Sequence, residues 1–315
     1  MAVIDELGVE VKVIVNGTEA TEYIPDEEPD FDGDNFDPST KTCCRYVESI
    51  DNADFAIRAA VTSETNKPAN KWLDDSKTNS LSFSLSFDGG DKAAGWLINQ
   101  NRRFVIGDST SDAATSTKRN FRFASVSTVD DANKQRIASD METAKDLGLI
   151  RVVVKRVKLT GNKIRQPSSS RDISKLASRD FSLAEKALKG KAISHGTTFA
   201  PPVKCPVLVT TITSNVDRSH SPFAVFYFKY RSKEALQQEL IIPRPRSLSI
   251  ESDVENLSAA ELRRLARERL SQMKGDKKRA ARIKDEGGEA PRSSRPHKFI
   301  KIEGGKKAID LTEDD

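Results

Sequence analysis

Cysteine is scarce in this chain: there are three in 315 residues, the neighbours Cys43 and Cys44 and a distant Cys205. Such spacing offers neither a disulfide framework nor the ligand pairs of a zinc site, so reduced thiols are expected. Long apolar runs are lacking as well. No stretch of eighteen apolar residues occurs, so neither a membrane-spanning helix nor a membrane partner is expected. The opening Met1-Ala2-Val3-Ile4-Asp5-Glu6-Leu7 has no basic start and no apolar core of a signal peptide, which reads as intracellular. Hydrophobic residues make up 37% of the chain and charged residues 31%, which suits one modest core with polar segments better than two full domains.

Charge is present but unevenly placed. Residues 1–60 hold 4 Lys/Arg against 15 Asp/Glu, a net of −11, so the remaining 255 residues carry +15. Seven of the acids lie between Asp26 and Asp37. Asp30, Asp32 and Asp34 resemble a calcium loop, but Gly33 falls one place early and Lys41 stands where a bidentate Glu is needed, so a solvated loop without metal is the reading.

What the chain has in quantity is strand pattern. Leu149 to Leu159 is its densest β-branched run. Val9, Val11, Val13 and Val15 alternate into Asn16-Gly17, the pair that best tolerates positive φ at both centres of a tight turn, with Thr18 to Ile24 returning. Thr42 to Ile50 and Asp54 to Val61 read as a second hairpin about Asp51-Asn52. Leu81 to Phe87 sets four apolar side chains against Ser82, Ser84 and Ser86, so one face is wet, and Ala93 to Ile98 returns beside it after Asp88-Gly89-Gly90. Following a polar loop at 108–118 come a strand over Asn120 to Val126 and a helix over Asp130 to Leu147, stopped by Gly148.

Many short strands joined by turns, with one helix before residue 160, predict a mainly β fold, an antiparallel β-sandwich; a closed β-barrel is the alternative. The organisation expected is a sandwich core over 1–160, a flexible linker or loop over 161–180, and a segment over 181–243 that docks on the core through strand 223–230. A polar linker over 244–257, a basic helix over 258–284 and a disordered tail over 285–315 complete it. A short amphipathic helix is expected at Ser182 to Leu188. His195, between Ser194 and Gly196, has no acidic partner or nucleophile elbow in sequence and reads as a packed or surface histidine. No cofactor motif is found.

Four stretches carry a resemblance: Gly8 to Gly17, Leu81 to Asp88, Ala187-Leu188-Lys189-Gly190-Lys191-Ala192-Ile193-Ser194-His195-Gly196-Thr197, and Pro222 to Ala235 with Ile241-Ile242-Pro243-Arg244. Together they resemble a fungal family built on a domain of unknown function, "seven nine one eight", over about residues 5–245. The resemblance implies a domain boundary and a fungal source, and attaches no activity or cofactor.

Beyond that boundary, Ser258-Ala259-Ala260-Glu261 is a capping box ahead of Leu262, Leu265, Ala266, Leu270 and Met273 at helical spacing. From Glu261 to Lys284 there are ten Lys/Arg and three Asp/Glu. Lys277, Lys278, Arg279, Arg282 and Lys284 are a candidate nuclear-import signal, and the same charge could bind nucleic acid through phosphates or be solvated. Ser247 and Ser249 are candidate phosphorylation sites. Ile300-Lys301-Ile302-Glu303 resembles the acceptor sequence of the small ubiquitin-like modifier SUMO, with Lys301 as the modified amine. Ile309-Asp310-Leu311-Thr312, followed by Glu313, Asp314 and Asp315, resembles a SUMO-interacting motif. These features point to an interaction or adaptor protein of the nucleus, or alternatively of the cytoplasm, whose partner is SUMO or a sumoylated protein. A nucleic-acid-associated protein using 261–284 is the second reading, and an enzyme a distant third.

Overall fold

The structure, a computed structural model, describes residues 1–25, 35–90, 92–112, 116–130, 133–164, 181–190, 192–206, 209–244, 299–301 and 307–309. Most of the acidic loop, most of the 161–180 stretch, the basic segment and Ser247 and Ser249 therefore lie outside the described residues. Two compact units are present, Met1–Arg244 and Pro245–Asp315.

The first unit is built on two sheets. One contains β1 (Ala2–Ile4), β2 (Val9–Val15), β3 (Thr18–Glu19), β6 (Asp54–Val61), β9 (Phe104–Gly107), β10 (Ser109–Asp112), β11 (Thr117–Ser125), β15 (His195–Phe199) and β16 (Val203–Lys204). Its spine runs β1-β2-β6-β11-β10, all antiparallel. The other has the order β4 (Glu22–Tyr23), β5 (Thr42–Glu48), β18 (Ala224–Arg231), β13 (Leu149–Ile164), β7 (Asn79–Phe87), β8 (Lys92–Asn99), with β17 (Val209–Asn215) on the far half of β13. Only its β18–β5 pair is parallel. Neither sheet closes on itself, so among the described residues the fold is an open sandwich and not a barrel.

The core follows from the period-two pattern. Val9, Val11 and Val13 of β2, Phe55 and Ile57 of β6, and Phe121 and Phe123 of β11 meet Phe83 and Leu85 of β7, Val152 and Val154 of β13, and Phe226 and Phe228 of β18 in one cluster. Each such side chain contributes about 1.5–3 kcal/mol through burial. The opposite side of β18 is apolar too: Val225 and Tyr227 pack with Cys44 and the half-buried Phe36, Leu149 and Val153. That accounts for a strand without a polar face.

Several expectations need correction. Residues 42–48 and 54–61 do not pair: β5 joins β18 in one sheet and β6 joins β2 in the other. Cys43 and Val47 share the core with Phe55 and Ile57, so these strands stack face to face across the sandwich, and the turn at Asn52 (φ 57°) carries the chain between layers. The predicted return over Thr18 to Ile24 likewise splits, β3 pairing with β2 and β4 with β5. The 108–118 loop contains β10 and the start of β11. Strand β13 runs to Ile164, into the stretch read as linker, because a bulge between Leu159 and Gly161 lets it continue against β17. Ser182 to Leu188 is not one helix: β14 (Ser182–Ala184) pairs in parallel with β12 (Ser127–Val129), and only Glu185–Leu188 is helical, as α3.

Helix α1 (Pro68–Asp75) was not anticipated, although Pro68 in its first turn is a start signal. It is fastened to β7 by Trp72, whose Nε1 donates to the Ser80 carbonyl at 3.0 Å. Helix α2 (Lys134–Asp146) is capped by Asn133, which accepts from the Gln135 N–H, and the chain turns out at Gly148 (φ 80°) as its sequence predicts. Helix α4 (Lys233–Gln238) is capped by Ser232. In the second unit, β19 (Phe299–Lys301) and β20 (Lys307–Ile309) form an antiparallel pair within the tail that composition alone reads as disordered.

Candidate functional site

Described parts of the two SUMO-like tail sequences pair as antiparallel strands. Phe299 lies opposite Ile309, Ile300 opposite Ala308 and Lys301 opposite Lys307. Lys301 and Ile309, one from each of the two SUMO-like sequences, thus stand on neighbouring strands, at opposite ends of the pairing. Asp310 to Asp315, and Lys277, Lys278, Arg279, Arg282 and Lys284, lie outside the described residues.

Inside the first unit, an ionisable group that sequence reasoning treated only as a turn residue is buried. Asp88 ends β7 with φ 50°, where the chain turns toward Gly89. Its Oδ1 accepts from the Tyr230 hydroxyl at 2.6 Å and from the Gly148 N–H at 2.9 Å, and its Oδ2 accepts from the Thr197 N–H at 2.8 Å. Burial pushes its pKa up, against these donors, which favour the ionised form. Tyr230 is raised well above its ordinary value by burial first and by the Asp88 charge second. Because Thr197 belongs to one sheet and Asp88 and Tyr230 to the other, this network stitches the layers together.

His195 is buried beside it. Its Nδ1 lies 2.9 Å from the Ser49 Oγ and 2.9 Å from the Ser194 Oγ, and Ser194 in turn accepts from the Ser232 N–H at 2.7 Å. Burial lowers the His195 pKa, while Asp51 and Glu234 act in the opposite sense through space. A serine beside a histidine suggests a nucleophile; Ser49 is 3% exposed and His195 6%, while Ser194 is half-buried. No group of three metal-ligating side chains occurs among the described residues.

Two further concave surfaces stand out among the described residues. A cavity of about 550 Å³ runs between α2 and α4, and its charged pair, Arg231 and Glu239, is already engaged at 3.3 Å. The other, about 460 Å³, opens on the outer face of the second sheet. Its floor is the wet face that the serine alternation predicts: Ser82, Ser84 and Ser86 on β7. Ser86 lies opposite Arg151 on one neighbouring strand and Lys92 on the other, and Ser82 lies opposite Lys155. The Arg151 Nε donates to the Ser86 Oγ at 3.1 Å. Sequence reading marked the serines but not the cations, since strand order decides which side chains flank them.

The family model for a domain of unknown function (DUF7918) matches residues 8–245. No curated protein and no solved structure matches the chain. With its family match spanning most of the sequence and ending where the first compact unit ends, the chain belongs to the DUF7918 family.

Proposed function

We propose that this chain is a nuclear interaction or adaptor protein whose β-sandwich carries a SUMO-recognising C-terminal tail, with Lys301 as an acceptor of the modifier. The observation that carries this is the last 17 residues, where a hydrophobic-Lys-x-Glu sequence stands just before Ile309-Asp310-Leu311-Thr312 and three terminal acids. Strand addition to a sheet edge needs an extended peptide with alternate apolar side chains and complementary charge at the rim. The pairing of β20 supports the reading: Lys307–Ile309 is extended, and among the described residues it pairs with β19 alone, leaving its second edge for a partner strand. Ala308, smaller than the groove would prefer, makes the interaction weak, on the order of 10 to 100 μM.

A calorimetric titration of a 299–315 peptide into SUMO tests this. Saturable binding that weakens when Glu313, Asp314 and Asp315 are replaced by amides is expected; heat indistinguishable from dilution at millimolar peptide ends the proposal.

A second reading rests on a separate observation, the ten Lys/Arg against three Asp/Glu between Glu261 and Lys284. Phosphate contacts made there would weaken linearly in log K against log salt, and deleting 258–284 would abolish them. Retention of nucleic acid unchanged by that deletion would count against this segment. If the cluster at Lys277, Lys278 and Arg279 serves import instead, replacing it by glutamine leaves the protein in the cytoplasm.

A further inference from the structure

We infer that β17 is a self-association edge, through which two copies of this chain pair antiparallel about a twofold axis at Ile212. A sheet edge presents unpaired N–H and C=O groups, and folded proteins blunt such edges by keeping them short, charged or covered. Other edges of this sandwich follow that rule: β1 has three residues, and β3, β4 and β16 have two each. β15 gives its Thr197 N–H to Asp88 at 2.8 Å, and β10 is tied to β8 by the Thr110 Oγ1, which donates to the Ala93 carbonyl at 2.7 Å. β17 departs from it. It has seven residues, Val209-Thr210-Thr211-Ile212-Thr213-Ser214-Asn215, with no charge and no proline, and among the described residues it pairs with β13 alone. The Val216 N–H donates to the Arg156 carbonyl at 3.0 Å and the Thr160 hydroxyl to the Ile212 carbonyl at 3.1 Å, so the even-numbered residues turn their peptide groups toward β13. The bulge between Leu159 and Gly161 lies in β13 and leaves the alternation of β17 unbroken. Thr211, Thr213 and Asn215 therefore offer N–H and C=O groups outward.

The occupant that fits this edge is β17 of a second copy. Hydroxyl residues flank Ile212 symmetrically, Thr210-Thr211 before it and Thr213-Ser214 after it. In antiparallel pairing about Ile212, Thr211 of each copy meets Thr213 of the other as a hydrogen-bonded pair, at the positions whose peptide groups face outward, and the hydroxyls stand side by side. The two Ile212 side chains meet as the closer, non-hydrogen-bonded pair. Ile212 is 41% exposed, and its neighbour on β13, Gly161, has no side chain to cover it. A register centred on Thr213 also matches outward peptide groups, but it sets Ile212 against Ser214 and leaves both isoleucines wet. The uncharged strand brings no like charges together across the axis, where they would repel. Because each copy offers β17 once, the pair closes as a dimer and does not grow into a fibre. One seven-residue pairing falls short of the roughly 800 Å² per partner of a stable complex, so the dimer is weak, with a dissociation constant on the order of 100 μM.

The test is sedimentation velocity on the full chain, from about 10 μM to about 1 mM, where a monomer–dimer equilibrium is expected. Ile212→Lys sets two ammonium groups against each other at the axis, and Thr213→Pro removes an outward N–H while sparing the ladder to β13; each should raise the dissociation constant at least about tenfold. Cysteine reads the register. Under dissolved oxygen with a copper catalyst, Ile212→Cys should form a covalent dimer, since a non-hydrogen-bonded pair stands at disulfide distance, whereas Ser214→Cys and the wild type, with its half-buried Cys205, should not. A single monomeric species at the highest concentration overturns the assignment, as does an equilibrium unchanged in both variants. Crosslinking of Ser214→Cys as fast as Ile212→Cys, or polymers that grow with concentration, overturns it as well. Circular dichroism of each variant separates lost pairing from lost fold.

Discussion

At the scale of single residues, Tyr230 and His195 show how the interior constrains its polar groups. The Tyr230 hydroxyl lies 2.6 Å from Asp88 and 3.0 Å from the Thr197 Oγ, with no exposure to water. Tyr230→Phe removes one donor from a buried carboxylate, and we expect a loss of about 1–3 kcal/mol in urea unfolding with the fold intact. Asp88→Asn should cost at least as much, since its amide group must face either the Thr197 N–H or the cluster of donors on Oδ1. His195 gives a pH dependence. Its pKa is lowered in the folded protein by burial, so the unfolded chain binds the proton first as pH falls below the ordinary value near 6.5. The stability held by the neutral ring is therefore present above that value and is lost as pH falls through the folded pKa. Urea midpoints should drop between about pH 7 and pH 5 in the wild type and drop less in His195→Gln. Equal slopes would show that the ring titrates alike in both states.

At the scale of elements, the sheets are joined not only through polar groups but by close packing that leaves room for no extra atom. Gly107, the last residue of β9 in one sheet, lies beneath the indole of Trp96 from β8 of the other, and an added Cβ there would overlap the ring. Gly107→Ala is expected to destabilise by about 1–3 kcal/mol and to shift the tryptophan emission, since the ring must move outward. Strands with a clean two-residue period were legible in the sequence: β2, β7 and β11 place Val11, Phe83 and Phe121 at full burial where alternation puts them. The hairpin turns at Asn16-Gly17 and Asp88-Gly89 were equally legible, each with positive φ at both residues. What alternation does not encode is partner choice. β5 and β6 look like a hairpin in sequence, yet each pairs with a strand distant in the chain, because both need to put an apolar face into the same core. Short β9 and β10 carry too few residues for a period to show, and Asp88 reads as a turn residue because its partners Thr197 and Tyr230 lie more than a hundred residues away.

At the scale of the whole molecule, the chain combines a compact sandwich, Met1–Arg244, with a C-terminal unit that carries the basic segment and both tail motifs. Among the described residues, the hydrophobic cluster common to the two sheets is drawn from residues before Arg244. A chain ending at Arg244 should therefore unfold cooperatively with a urea midpoint close to that of the full chain, and should lose SUMO binding. A large drop in its midpoint would mean that the C-terminal unit contributes to the core's stability. The most direct test of the central claim is the full chain titrated into isotope-labelled SUMO, followed by chemical shift, beside the Ile309→Ala/Leu311→Ala double variant. The account predicts shifts confined to one sheet edge and its basic rim, saturating on the order of 10 to 100 μM and absent with the variant. No shift at millimolar protein, or the same shifts with both aliphatic side chains removed, would contradict it.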